Sequence, residues 1–361
     1  MTLQERFAKM AKKFPKKVAI IDQATNKEFT YEKALISSII FANKIKKYPE
    51  KNIGVMVPTS AGAMLTFIAV LMAGKTPVMI NYSTGAIKNC KYAAERCNFK
   101  TILTSKKLLD KLNLEPIDGM YFLEDIVKDI TLFDKISGLI KSKLNIFYKG
   151  DKEELAVVLF TSGSEKDPKG VMLTHKNIIS NIDAILKTYP QITHEDTFLS
   201  SLPLFHVFGL TVTFWYPLLI GASMLSYPNP LEYSTISKLV KKYKLGIMVS
   251  TPSFLYGYLR KSNAGDFSSL KLCIAGADKV TSHLFESFKK KHGIEIMEGY
   301  GTTELSPVVS VNTPENFRLG SIGQPLPGVQ VKILHIDTDK ELGTNEIGKI
   351  FVKGDNLMKG Y

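Results

Sequence analysis

Leu155-Ala156-Val157-Val158-Leu159-Phe160 is an uninterrupted apolar run that passes directly into Thr161-Ser162-Gly163-Ser164-Glu165-Lys166-Asp167-Pro168-Lys169-Gly170. Six apolar residues closed by turn chemistry predict a buried strand, and strands covered on both faces belong to parallel α/β sheets. The polar half reads in two ways on composition alone. Its hydroxyls, backbone N–H groups and the mobile charge of Lys169 would grip phosphate oxygens, and the same residues would equally serve a polar surface hairpin. It is not a Walker A loop: no Gly-x-x-x-x-Gly-Lys-Ser/Thr can be drawn through it, and Gly170 follows Lys169.

The flanking sequence repeats the pattern. Val18–Asp22, Ile53–Val57, Val78–Asn81 and Thr101–Thr104 are strand-like, and they alternate with helical patterns after Thr30, up to Gly74 and over Ile87–Asn98. The rhythm is that of βαβ units. A lysine-rich stretch around Ile136–Lys152 reads as irregular. The alternation then resumes with a helix over Asn177–Thr188 and strands at Ile247–Ser250 and Leu272–Ala275, until Gly- and Pro-punctuated short strands, Val329–His335 and Gly348–Val352, take over from about Arg318. Expected units are therefore an α/β subdomain over 1–150, a second over 151–317, and the start of a small β-rich unit over 318–361. Ile53–Gly74 and Thr197–Leu231 carry no charge, yet Pro58 breaks the first and Pro203, Gly209, Pro217, Gly221 and Pro228 break the second. Buried core elements are expected there, not membrane spans.

With 361 residues, 45% of them hydrophobic and 22% charged, the chain is neither disordered, collagen-like nor a small disulfide scaffold. Its net charge of +13 attracts anions, which admits nucleoside triphosphates, acidic carrier proteins, anionic lipid and nucleic acid. No nucleic-acid module accompanies the lysine runs, so no nucleic-acid partner is expected. Cys90, Cys97 and Cys273 show no paired or metal-binding spacing, which suits a reducing, cytoplasmic compartment. Leu3, Phe7 and Met10 lie at helical spacing among lysines, so the N-terminus is expected either as the first helix of the fold or as a basic helix lying on the inner face of a membrane.

A second chemistry-bearing segment, Glu298-Gly299-Tyr300-Gly301-Thr302-Thr303-Glu304, follows the apolar Ile294–Met297. An aromatic between glycines would stack on a purine with backbone close by, and Glu304 is a hard oxygen ligand suited to Mg²⁺. A strand-end turn with an exposed Tyr is the plainer alternative.

In this order the two segments resemble the adenylate-forming synthetases, the superfamily of acyl-CoA ligases, peptide-synthetase adenylation domains and luciferases. Thr161–Gly170 resembles the family's Thr/Ser/Gly-rich loop ending Pro-Lys-Gly, Leu202–Gly209 its next motif, and Tyr300–Glu304 its Tyr-Gly-x-Thr-Glu signature. Leu71–Asn81, Ala275-Gly276-Ala277, Gly320–Gly328 and Gly348–Tyr361 extend the likeness over nearly the whole chain. Within the superfamily, the wording Leu159–Glu165, Ser201–Phe205 with His206, and Phe208–Thr211 is similar to acyl-[acyl-carrier-protein] synthetases. Glu165 is the most telling residue, since most of the superfamily has Thr there.

The resemblance implies an α/β large N-terminal body, layered αβαβα with two mostly parallel sheets and a small β-rich unit. It implies ATP and Mg²⁺ as cofactors, a long-chain fatty acid as substrate, and acyl carrier protein or coenzyme A as thiol acceptor. Thr161, Ser162, Gly163, Ser164 and Lys169 would hold the β and γ phosphates, Thr303 the α-phosphate, and Glu304 the Mg²⁺. Gly276, Ala277, Gly299 and Tyr300, continuing into Gly301 and Thr302, would frame the nucleotide. His206 would line the acyl or α-phosphate region, or be a structural histidine, and the aromatic run Phe205–Leu219 would wall a fatty chain or fill the core. Two departures stand out. Lys166 replaces a common glycine, and Tyr361 precedes the family's ribose-binding aspartate, hinge and lysine-bearing C-terminal domain, from which weak turnover is expected. Asp355 reads as a loop residue. Two competing classes are a catalytically silent nucleotide- or lipid-binding module and a peripheral membrane protein.

Overall fold

A computed structural model describes residues 1–161 and 167–361. Two sheets organise them. The smaller has the strand order Met120–Phe122, Ile102–Thr104, Asn52–Met56, Thr76–Met79, Leu155–Thr161, Lys169–Thr174. All neighbours in it are parallel except the last pair, an antiparallel hairpin in which Thr161 faces Lys169. The larger sheet has nine strands. Its parallel centre runs Ile296–Gly301, Leu272–Ala275, Ile247–Ser250, Thr197–Ser200, Ser223–Ser226, Val18–Asp22, and antiparallel strands close it at both ends. A separate hairpin pairs Gln330–Leu334 with Lys349–Lys353.

Helix Ala61–Met72 shows how the sheets are joined. Ser60 caps it by accepting the Ala63 N–H at 3.2 Å, and every residue but Gly62 is buried. It packs on strands of both sheets, which is why its sequence is apolar all round. Each fully buried large side chain, such as Phe67 or Ile68, contributes about 1.5–3 kcal/mol. The uncharged segment Thr197–Leu231 becomes a strand, a π-helical turn over Gly209–Trp215, a short helix Tyr216–Ile220 and a strand. Among the described residues no helix is long and apolar enough to cross a membrane.

Two expectations meet a different structure. The sheets do not divide at residue 150: Val18–Asp22 and Lys27–Thr30 belong to the large sheet, and Leu155–Thr161 and Lys169–Thr174 complete the small one. Strand pairing is a long-range choice that local pattern does not encode. The stretch around Ile136–Lys152 is not irregular throughout, because helix Leu132–Leu144 occupies its first half behind a Thr131/Asp134 capping box. Of the two readings of the N-terminus, the first helix of the fold is the one observed: Leu3, Phe7, Ala8 and Ala11 of helix Leu3–Lys13 are buried in the core.

His175, the first residue of helix His175–Thr188, ties this N-terminal helix to the hairpin. It is buried, and its Nδ1 accepts the Leu3 N–H at 3.3 Å. Burial pulls its pKa down to about 4, so the ring is neutral and the acceptor intact.

Candidate active site

A cavity of about 670 Å³ with mostly apolar walls opens at the carboxyl ends of the large sheet's parallel strands, where α/β sheets place their ligands. Much of its wall comes from the ends of strands and the segments that follow them: Leu202, Pro203 and Phe205–Gly209, Pro228–Leu231, Thr251, Gly276–Ala277 and Gly299–Thr303. Tyr82 and Ser83 enter from the smaller sheet. Eight residues singled out from sequence converge here: His206, Gly276, Ala277, Gly299, Tyr300, Gly301, Thr302 and Thr303.

The glycines allow backbones to approach. A Cβ on Gly301 would lie 2.0 Å from the Pro307 carbonyl oxygen, and one on Gly209 2.4 Å from that of Pro203. Gly276 meets the Phe208 ring, 3.1 Å from where its Cβ would be. Beside it Ala277 holds φ at +71°, a left-handed conformation that costs an L-residue about 1–2 kcal/mol. Strain of this kind clusters at ligand sites. Tyr300 sits at an irregularity of the pairing with Val308–Val311. The preceding Glu298 is buried; its Oε1 accepts the Val280 N–H at 3.3 Å, and burial raises its pKa.

His206 reaches the cavity, and its ring packs against Phe205 at 4.6 Å between centroids. Loss of water within these walls lowers its pKa, which favours a neutral imidazole. Phe205 and Phe208 line the cavity, whereas Phe214, Trp215 and Tyr216 are fully buried behind it as core.

Lys169 lines a neighbouring cavity of about 830 Å³, together with Asp167, Arg96 and Tyr361. Its Nζ lies 5.3 Å above the Tyr361 ring, and the Tyr361 hydroxyl donates to Glu304 Oε1 at 2.9 Å. One side chain thus links the lysine to the carboxylate, and Thr303, the residue before Glu304, lines the first cavity. Thr161 ends its strand opposite Lys169 and lines neither cavity. Ser162, Gly163 and Ser164, with Glu165 and Lys166, lie outside the described residues.

No group of three or more His, Cys, Asp or Glu able to hold a metal occurs among the described residues. A single carboxylate linked through Tyr361 to a lysine nevertheless fits Mg²⁺, which keeps its waters and takes one or two carboxylates plus substrate phosphates.

Four asparagines that sequence reasoning missed hold this site in shape. Buried Asn181 clamps Val308, donating to its carbonyl at 2.7 Å and accepting its N–H at 3.2 Å. Asn312 donates to the carbonyls of Glu298 and Ser321 and accepts the Arg318 N–H at 3.0 Å. Asn356 donates to Leu305 O at 2.9 Å, and Asn177 to the carbonyls of Asp355 and Leu357. With the Met358 N–H on Glu304 O at 2.7 Å, residues 355–361 strap the Glu304 turn in place. The Asp355 side chain is exposed and paired to Lys176 at 2.9 Å, in keeping with a loop residue.

Residues 7–361 match the AMP-binding enzyme family, and the chain belongs to it. Among its relatives is the long-chain-fatty-acid–CoA ligase of Salmonella typhimurium, 34% identical over 214 residues that cover 58% of this chain and 38% of that protein. The corresponding ligase of Bacillus subtilis is 28% identical over 407 residues, covering 100% of this chain and 70% of that one. The fold matches the crystal structure of a long-chain-fatty-acid–CoA ligase from Archaeoglobus fulgidus with a TM-score of 0.83, 23% identity and coverage of 100% and 76%. It matches ATP-bound MatB from Rhodopseudomonas palustris with a TM-score of 0.83, 23% identity and coverage of 100% and 72%.

Proposed function

We propose that this chain binds ATP and a long-chain fatty acid and joins them as acyl-AMP, for transfer to a pantetheine thiol. What carries the proposal is the convergence of Gly276, Ala277, Tyr300, Thr303 and His206 on one largely apolar cavity. In the first step a carboxylate oxygen attacks the α-phosphorus, the bond to the bridging oxygen breaks, and pyrophosphate leaves. A fatty carboxylate is already ionised near neutrality, so the step needs no general base. It needs in-line placement and compensation of phosphate charge. Tyr300 between its glycines would stack the purine, Thr303 would donate to the α-phosphate, and Lys169 would offset charge on the β and γ phosphates. Glu304 would hold Mg²⁺, which supplies further charge compensation when bound. In the second step a thiol sulfur forms the thioester, AMP departs, and the thiol proton passes to solvent.

A neutral His206 suits this scheme as a wall between the acyl and phosphate regions. The acceptor has two supports. The relatives favour coenzyme A, and the Leu159–Glu165 wording favours acyl carrier protein. Calorimetric titration with ATP and with a non-hydrolysable long-chain acyl-adenylate analogue tests the first step. The analogue is expected to bind more tightly than ATP, more tightly than a short-chain counterpart, and more weakly to Tyr300→Ala. Equal affinity for long- and short-chain analogues would refute the fatty-acid assignment. Offering preformed acyl-AMP and the protein to each thiol separately decides the acceptor by which thioester accumulates.

A further inference from the structure

Helix Leu132–Leu144 is built inside out. The side that meets the protein is polar or small: Asp134 pairs with Lys44 at 2.7 Å, the Lys141 ammonium donates to Asn43 Oδ1 at 3.0 Å, and Gly138 lies so close to Ile40 that a Cβ there would be 2.4 Å from its Cγ1. Lys44 and the Thr131 cap hold the Asp134 carboxyl at about 2. The side that meets water is apolar. Phe133 is 78% exposed, Leu132 73% and Leu144 64%, and Ile136, Leu139 and Ile140 share that face. Ile146 just beyond the helix and Val127 before it are exposed as well. A contiguous apolar surface of this kind marks an interaction site.

The charges around the patch identify its partner. Lys135 and Lys143 are exposed on the helix itself, and Lys128 and Lys149 are exposed to either side. The one acid in residues 132–149 is Asp134, which is turned inward on Lys44. Of the acids just before the helix, Asp125 is paired with Lys106 at 2.6 Å, Glu124 accepts the Lys106 N–H at 3.0 Å, and Asp129 is exposed beside Lys128, so lysines still outnumber acids around the patch. Large apolar side chains among lysines, on a helix lying flat on a protein, match the interface of an anionic bilayer: the apolar groups enter the acyl boundary and the ammonium groups meet lipid phosphates.

We propose that the outer face of helix Leu132–Leu144 docks the protein on an anionic lipid surface. The bound protein would then lie beside the pool from which an oily carboxylate is drawn. The test is co-sedimentation of the full 361-residue chain with phosphatidylcholine vesicles containing phosphatidylglycerol, and with phosphatidylcholine alone. Binding is expected to the anionic vesicles, weaker to the neutral ones, and reduced by salt. Leu132→Ser/Phe133→Ser/Ile136→Ser and, separately, Lys135→Gln/Lys143→Gln should each weaken it by about tenfold. Melting temperatures should stay unchanged, because these side chains point away from the fold. Phe133→Trp adds a direct readout, a blue shift of its emission on anionic vesicles. No binding to anionic vesicles at low salt, or equal binding by wild type and the triple variant, overturns the proposal. So does a dimer that forms without lipid and is abolished by the triple substitution, which would assign the face to a second copy.

Discussion

Lowering the pH should destabilise this protein through one identifiable imidazole. His175 is 3% exposed, accepts the Leu3 N–H and opens helix His175–Thr188. A proton on Nδ1 would remove that acceptor and set a cation at the positive end of the helix dipole. Burial is the main cause of its low pKa, and the N-terminal ammonium adds to it, against Glu154 and Asp151. The folded value of about 4 lies below the ordinary imidazole value of 6.5, so the unfolded chain takes up the proton first as the pH falls. Stability is therefore fully present above pH 6.5 and falls as the pH drops towards 4. At about 1.4 kcal/mol per pH unit the loss totals about 3 kcal/mol. Guanidinium unfolding of wild type and His175→Gln across this range isolates the effect, since His292, also held to about 4 chiefly by burial, is common to both proteins. The wild-type curve should fall more steeply than that of the variant. Parallel curves, or an NMR titration of His175 with a midpoint near the ordinary imidazole value, would refute the reasoning.

Three further outcomes are expected at the site. Asn181→Ala strips both partners from Val308 and should cost about 2–3 kcal/mol in chemical denaturation, with weaker ATP binding. Gly301→Ala forces its strand away from the Pro307 carbonyl and should reduce ATP affinity in calorimetry by at least about tenfold. Tyr361→Phe releases Glu304 Oε1 from a hydroxyl donor, so the Mg²⁺ concentration that half-saturates ATP binding should fall; an unchanged value would mean that Glu304 does not meet the metal.

Much of the fold was legible because its strands are locally unambiguous. Ile247–Ser250 and Leu272–Ala275 are short apolar runs bounded by turn residues, and they occupy the expected positions. Gly276 and Gly301 were legible for a related reason, since they stand where the Phe208 ring and the Pro307 carbonyl crowd in. Other features depend on partners far along the chain. Nothing near Asn181 announces that its amide will meet Val308, 127 residues on. The strain at Ala277 is invisible because alanine carries no turn signal. Helix Leu132–Leu144 escaped although Leu132, Ile136, Leu139 and Ile140 recur at helical spacing, because Gly138 and the interspersed lysines read as an irregular polar stretch.

The crossing of Val18–Asp22 into one sheet and Leu155–Thr161 into the other has a consequence for assembly. Both are interior strands, flanked on each side by a neighbour. A polypeptide severed near residue 150 would yield two fragments, each missing the terminal hairpin of its own sheet and carrying the one that belongs to the other. Neither should fold by itself, and mixing them should restore both at once. During synthesis the early strand can pair with Lys27–Thr30 at once, but its other edge must wait until Ser223–Ser226 emerges to receive it.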